Sequence, residues 1–205
     1  MTPTERLYGL YKSVEYIVAA SIPGDIVECG VWQGGSCMAV ALTLEKLGRA
    51  DRDLYLYDTF AGMTRPGEHD VDLRGKSALQ TWQQLRRGDG NAWCYASLDE
   101  VKANMASTAY PQERVHLVPG DILETIPICA PQSIAILRLD TDFYETTKHA
   151  ITHLFPRLSV GGVLIVDDYG HWRGAKKAID EYVASNGAIM LLNRLDYSAR
   201  IGVKI

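Results

Sequence analysis

Acidic residues stand at the ends of successive apolar runs: Glu28, Asp58, Asp121, Asp140 and the pair Asp167-Asp168. Two of these endings are doubled. Leu139-Asp140-Thr141-Asp142 sets two carboxylates two residues apart, and Asp167-Asp168 sets two side by side. Carboxylates crowded on one rim repel one another unless cations or hydroxyl-rich ligands sit among them. Three or four converging carboxylate oxygens make a hard donor set suited to Mg²⁺ or a similar divalent ion. Taken singly, each acid has a plainer role: Asp142 can cap the helix that follows, and Asp168 can be a solvated acid. The set carries the reading, not any one member.

A second group lies earlier, in Glu28-Cys29-Gly30-Val31-Trp32-Gln33-Gly34-Gly35-Ser36. Glycines after a strand let a ligand approach the backbone, and the helix start at Ser36 offers free N–H donors. No Lys follows the glycines, so this is not a Walker A loop, and it lacks the GxGxxG dinucleotide fingerprint. An acid just ahead of Gly30 is ill suited to an anionic pyrophosphate. It suits a ligand with an ammonium group, such as the amino acid end of S-adenosylmethionine. Asp58 is then placed to accept from ribose hydroxyls, and Asp121 from an adenine amino group.

Alternating elements must bring these residues together. Leu7, Leu10, Tyr11, Val14 and Ile17 recur at helical spacing after Thr2-Pro3-Thr4-Glu5, which reads as a capping box, so a helix over 2–20 opens the chain. Strands are predicted at Ile26–Cys29, Leu54–Tyr57, Val115–Val118, Ile134–Leu139 and, after a Gly161-Gly162 turn, Val163–Val166. Helices are predicted over Ser36–Leu47, Glu145–Leu158 and Gly174–Ala184. Two short strands, Ile189–Leu192 and Arg200–Val203, leave no room for a crossover helix and predict a closing hairpin with one strand antiparallel. The fold class expected is α/β: a doubly wound, mostly parallel seven-stranded sheet. The acids then share the carboxyl edge of that sheet, where open α/β sheets bind ligands.

The chain of 205 residues is expected to form one domain, 1–205, with 47% hydrophobic residues and a formal net charge of −4. Lys and Arg are spread rather than clustered, which argues against nucleic acid and membrane partners. Cys29, Cys37, Cys94 and Cys129 show no CxxC spacing, so buried reduced thiols are expected. No run reaches the roughly 20 apolar residues of a membrane span, and a soluble cytoplasmic protein is the expectation. Ala61 to Ser97 breaks the strand–helix alternation and is expected to be a partly helical lid, with Trp82 and Trp93 packing it. Arg65, Arg74 and His69 in that stretch are candidate substrate contacts, while Tyr144 and Tyr169 flank the acidic motifs.

The runs LRLDTDFYETT (137–147) and GGVLIVDDYGHWRGAKKAID (161–180) resemble the macrocin O-methyltransferase family of antibiotic biosynthesis. VECGVWQGGS (27–36) and LYDTFAGM (56–63) are similar to that family's cofactor segments. The resemblance implies a class I methyltransferase fold using S-adenosyl-L-methionine, with a divalent metal held by Asp140, Asp167 and Asp168. It also implies Asp142 as general base, while the pattern of strand-end acids and the glycine turn puts Glu28, Gly30, Ser36, Asp58 and Asp121 on the cofactor side. His149 and His171 compete for the role of base and are read as structural. The expected acceptor is a sugar hydroxyl of a natural product or glycan, with a catechol or phenol as the alternative. A homodimer is expected from the fold class. An NAD-dependent oxidoreductase shares the sheet but needs the missing glycine fingerprint, and a metal-dependent hydrolase needs no sulfonium cofactor.

Overall fold

In the computed structural model, which describes residues 2–88, 90–188 and 190–205, the apolar stripe of the first segment becomes the buried face of α1 (Thr4–Ala19). Leu10, Val14 and Ile17 line that face. The helix begins two residues later than expected. Pro3 is its N-cap, with extended dihedrals and no side-chain cap bond, so the capping box does not form. Seven strands make one sheet: β1 (Asp25–Cys29), β2 (Leu54–Asp58), β3 (Val115–Pro119), β4 (Ile134–Leu139), β5 (Leu158–Val166), β6 (Asn193–Arg194) and β7 (Arg200–Val203). Their order is β3-β2-β1-β4-β5-β7-β6. The first five are parallel, β7 runs antiparallel to β5, and β6 pairs antiparallel with β7. This is the expected α/β architecture with its closing hairpin.

Three boundaries differ from expectation. Gly161 and Gly162 lie inside β5 rather than in a turn before it: Gly161 takes φ +81° and its N–H reaches the Lys204 carbonyl, so the strand starts at Leu158. The helix expected to reach Leu158 stops as α6 (Tyr144–Leu154), because Pro156 sits in a 3₁₀ turn over Phe155–Arg157. The first closing strand lies at Asn193–Arg194, after the expected Ile189–Leu192, of which Ile189 falls outside the described residues.

Successive residues of each strand face opposite sides of the sheet. Ile26 and Ile136 enter the apolar layer shared with α1, α2 (Gly35–Lys46) and the later α4 (Leu98–Ala106). Val27, Cys29, Leu137 and Leu139 enter the opposite layer, against α6 and α7 (Arg173–Asn186). Between α2 and α4 the 61–97 segment carries α3 (Ala78–Gln84) and a two-residue hairpin pairing Arg86–Arg87 with Gly90–Asn91. All four cysteines are free; Cys29 and Cys37 are buried as expected, while Cys94 and Cys129 are exposed. No helix among the described residues is long and apolar enough to cross a membrane.

The crossovers change direction between β1 and β4. Connections lead outward from β1 through β2 to β3, and from β4 to β5 on the other side, which opens a crevice at the carboxyl edge. Cys29 pairs with Leu139, so Gly30 and Asp140 leave the sheet side by side.

Candidate active site

A cleft of about 240 Å³ opens at that crevice. Gly30, Asp58, Asp140, Asp142, Asp167 and Asp168 line it, joined by Trp32 and Tyr57 from the sheet side, Met63 and Cys94 from the 61–97 segment, and Thr2 and Arg6 of the N-terminal region. Glu28, Ser36 and Asp121 are not among its lining residues.

The local backbone explains much of this division. Gly30 takes φ +85°, and a Cβ built on it would fall 1.9 Å from the Asp140 carbonyl oxygen. The sequence reading gave this glycine to ligand approach; its first demand is the close passage of β4's end. Asp58 accepts the N–H groups of Val31 and Trp32 at 2.8 and 2.9 Å and that of Phe60 at 2.9 Å. Its carboxylate thereby fixes the loop after β1 while still facing the cleft. Asp121 is the N-cap of the short helix α5 (Ile122–Thr125), accepting the Leu123 N–H at 2.9 Å.

Glu28 and Arg138 stand on the same face of adjacent strands, in register. Both are buried. Arg138 Nη1 donates to Glu28 and lies 2.9 Å from Asp140, and Nη2 lies 2.6 Å from Asp167. Glu28 also accepts from the Ser36 hydroxyl and the Cys37 thiol. Glu28 and Ser36 therefore form the floor beneath the cleft rather than its wall. Burial works against the charge on Arg138, but Asp140, Glu28 and Asp167 outweigh it and hold the guanidinium protonated. This hub was missed from the sequence. Its signal was there: a charge within the apolar run Ile134–Leu139 cannot stay buried unpaired.

Each of Asp140, Asp167 and Asp168 offers a carboxylate oxygen within 4.8 Å of the others, the one such group among the described residues. Burial pushes the Asp140 carboxyl up to about 8, against the pull of Arg138 and helped by Asp167. Burial, with Asp142 and Asp140 as neighbours, raises Asp168 as well. Even with Arg6 and Arg138 on Asp167, the carboxyl groups of Asp140, Asp142, Asp167 and Asp168 outnumber the two guanidiniums. A hard donor set short of cations is what a divalent ion requires, and these residues fit one.

Asp142 stands apart from that trio. It takes φ +59°, its N–H donates to Asp168 Oδ2 at 3.1 Å, and its Oδ1 accepts the Trp172 indole N–H at 2.6 Å. Burial pushes its carboxyl up to about 6, opposed by the hydrogen bonds from Asp168 and Trp172. Trp172 belongs to an aromatic cluster with Phe143 and Trp93, ring centroids 5.7 to 6.0 Å apart. Nothing in the residue pattern singles out Trp172.

The remaining candidates pack or cap. His149 bonds the Ile126 carbonyl, and His171 stacks edge-on against Trp172. Tyr144 and Tyr169 bond Glu181 and Asp180. Trp82 donates to the Met63 carbonyl within the 61–97 segment. Arg65 and Arg74 are exposed, and His69 meets the edge of Tyr144; none of the three lines the cleft.

Residues 1–201 match the family model described as macrocin-O-methyltransferase. The demethyldecarbamoylnovobiocin O-methyltransferase of Streptomyces niveus is 36% identical over 184 residues, covering 90% of this chain and 67% of that protein. The 8-demethyl-8-(2,3-dimethoxy-alpha-L-rhamnosyl)-tetracenomycin-C 4'-O-methyltransferase of Streptomyces olivaceus is 32% identical, covering 96% and 72%. The solved structure of the O-methyltransferase NovP superimposes with a TM-score of 0.85 at 32% identity, covering 98% of this chain and 79% of that one. With the family match spanning nearly its whole length and these relatives at 32% identity or more, the chain belongs to the macrocin O-methyltransferase family.

Proposed function

We propose that this chain transfers the methyl group of S-adenosyl-L-methionine to a sugar hydroxyl of a natural product, aided by a divalent ion at Asp140, Asp167 and Asp168. The observation that carries the reading is the convergence of those three carboxylates beside a fourth, Asp142, that is held separately by Trp172. Family membership supports methyl transfer to oxygen. The names of the two Streptomyces relatives support a glycosylated natural product as acceptor.

The methyl carbon is bonded to a sulfonium, so the leaving group departs neutral. The nucleophile is the difficulty, since an alcohol keeps its proton at neutral pH. When bound, a divalent ion supplies Lewis-acid chemistry that eases loss of that proton. Asp142 is assigned the proton, because its carboxyl is poised near neutrality and lines the cleft next to the metal trio. Gly30 and Asp58 are assigned to the cofactor flank, with Glu28 and Ser36 supporting it from below through the Arg138 hub. Asp121 is assigned to the far end of that flank, where its helix begins.

Calorimetry with S-adenosylhomocysteine, with and without Mg²⁺, tests the cofactor half of the reading. Turnover with glycosides of the novobiocin and tetracenomycin classes, against catechols, tests the acceptor half. Micromolar binding of S-adenosylhomocysteine and Mg²⁺-dependent methylation of a glycoside are expected. No binding at millimolar concentration would overturn the methyltransferase reading, and full activity in EDTA would overturn the metal.

A further inference from the structure

Arg6, in the first turn of α1, lines the cleft and pairs with Asp167. Its side chain is 11% exposed and is clamped at two atoms. Nη1 pairs with Asp167 Oδ2, and Nε donates to Asp196 Oδ2 at 2.7 Å. Asp196 is itself rigid, since its Oδ1 accepts the N–H groups of Ser198 at 2.8 Å and Ala199 at 2.7 Å in the turn joining β6 to β7. The guanidinium is therefore a fixed fork rather than a waving surface charge. Its third nitrogen, Nη2, has no hydrogen-bond partner among the described residues, and it is not among the buried polar atoms lacking one. Arg6 lines the cleft beside the trio assigned to the metal, and Nη2 keeps two N–H donors uncommitted there.

The cofactor's sulfonium and ammonium groups repel a cation. Its one anionic group, the carboxylate, belongs to the amino acid end assigned to the Gly30 and Asp58 flank, whereas Arg6 sits on Asp167 of the metal trio. Arg6 suits an oxygen on the other reactant. We infer that Arg6 is an acceptor-binding residue, donating from Nη2 to an oxygen adjacent to the hydroxyl that is methylated. Sugars present such vicinal oxygens. A fixed donor beside the metal trio selects which hydroxyl of the ring faces the methyl group. α1 thereby supplies one wall of the acceptor pocket. The inference rests on the methyltransferase reading above.

The test uses the full chain and two variants, Arg6→Gln and Arg6→Lys. Three quantities are measured: affinity for S-adenosylhomocysteine, affinity for Mn²⁺ alone, and steady-state kinetics with the glycoside giving the highest wild-type turnover. Arg6→Gln is expected to raise acceptor KM about 10- to 100-fold, the size of a lost charge-assisted hydrogen bond. Its affinity for S-adenosylhomocysteine stays within about twofold of wild type. Its Mn²⁺ affinity rises a few-fold, because a competing cation has left Asp167. Arg6→Lys keeps the charge but not the fork, so Mn²⁺ affinity stays near wild type while KM stays high. An unchanged KM in both variants overturns the inference. Parallel loss of all three quantities shows that Arg6 merely anchors α1, and also overturns it. A wild-type enzyme inert toward every glycoside, though it binds S-adenosylhomocysteine, sinks the proposed sugar acceptor and this inference with it.

Discussion

The indole N–H of Trp172 donates to Asp142 Oδ1 across 2.6 Å, and the backbone of the same tryptophan bridges to Asp72 in the 61–97 segment. The carboxylate assigned the proton and the 61–97 segment thus share one support. Asp142 needs it. A non-glycine residue at φ +59° is held there by its surroundings rather than by its own preference.

Replacing Trp172 by Phe keeps most of the ring but removes the donor. The bond from Trp172 favours the ionised form of Asp142, so its loss should raise a carboxyl already lifted by burial to about 6. A base must be deprotonated to act, so activity rises with pH through that value. The acid limb of kcat/KM is expected to move to higher pH by about half to one pH unit, with roughly a two- to sixfold loss at pH 6. Affinity for S-adenosylhomocysteine stays unchanged. A pH–rate profile that overlays the wild type would remove Trp172 from the mechanism.

Mg²⁺ binding should be pH-dependent. Burial holds the Asp140 carboxyl up at about 8 and raises Asp168 as well, so below pH 8 an entering ion must displace a proton. Affinity is expected to weaken by up to about tenfold per pH unit between pH 8 and pH 6. The stability sign follows from the same groups. A carboxyl raised in the folded state favours folding below its unfolded value near 4 and loses that contribution as pH climbs through about 8. Metal-free protein should therefore melt lower at pH 8 than at pH 6, and Mg²⁺ should raise the melting temperature more at pH 8. Equal Mg²⁺ effects at both pH values would contradict the assignment of Asp140.

Much of this was legible in the residues. The strand-end acids declared the sheet edge because hydrophobic runs fix strand ends, and parallel order brings those ends together. Geometry decided what the pattern could not. Glu28 ends a strand as Asp58 does, yet the pleat turns it to the face shared with Arg138, into the floor. Asp121 follows the same pattern and caps its own helix. Arg6 and Trp172 were missed because their partners lie 161 and 30 residues away, and no spacing rule reaches across a fold.

Gly30→Ala separates packing from ligand approach. An added Cβ would meet the Asp140 carbonyl at 1.9 Å, on a backbone at φ +85°, where neither partner can yield without moving β1 or β4. A loss on the order of 3 to 5 kcal/mol is expected, roughly a 10 °C drop in melting temperature. Gly35→Ala is the control. It sits in the first turn of α2 with nothing within 4 Å of the added carbon, so stability should hold or rise slightly. A melting temperature for Gly30→Ala within about 2 °C of wild type would show that the edge is looser than this packing requires.

Asp70 ties the 61–97 segment to the site. Its carboxylate is buried and accepts the N–H of Gly67 and that of Tyr144, each at 2.7 Å. Tyr144 opens α6, and Gly174, near the start of α7, leaves room for the same carboxylate: a Cβ there would lie 2.1 Å from Oδ1. Two helix N-termini thus face one acid, an arrangement their dipoles favour. Asp70→Ala strands two donors and should cost about 2 to 4 kcal/mol locally. The expected result is selective loosening: proteolytic cleavage within 61–97 becomes several-fold faster, while S-adenosylhomocysteine still protects the sheet. Asp70→Asn keeps one acceptor oxygen and should fall between the two. Cleavage that speeds up uniformly along the chain would mean that Asp70 supports the whole fold rather than the 61–97 segment.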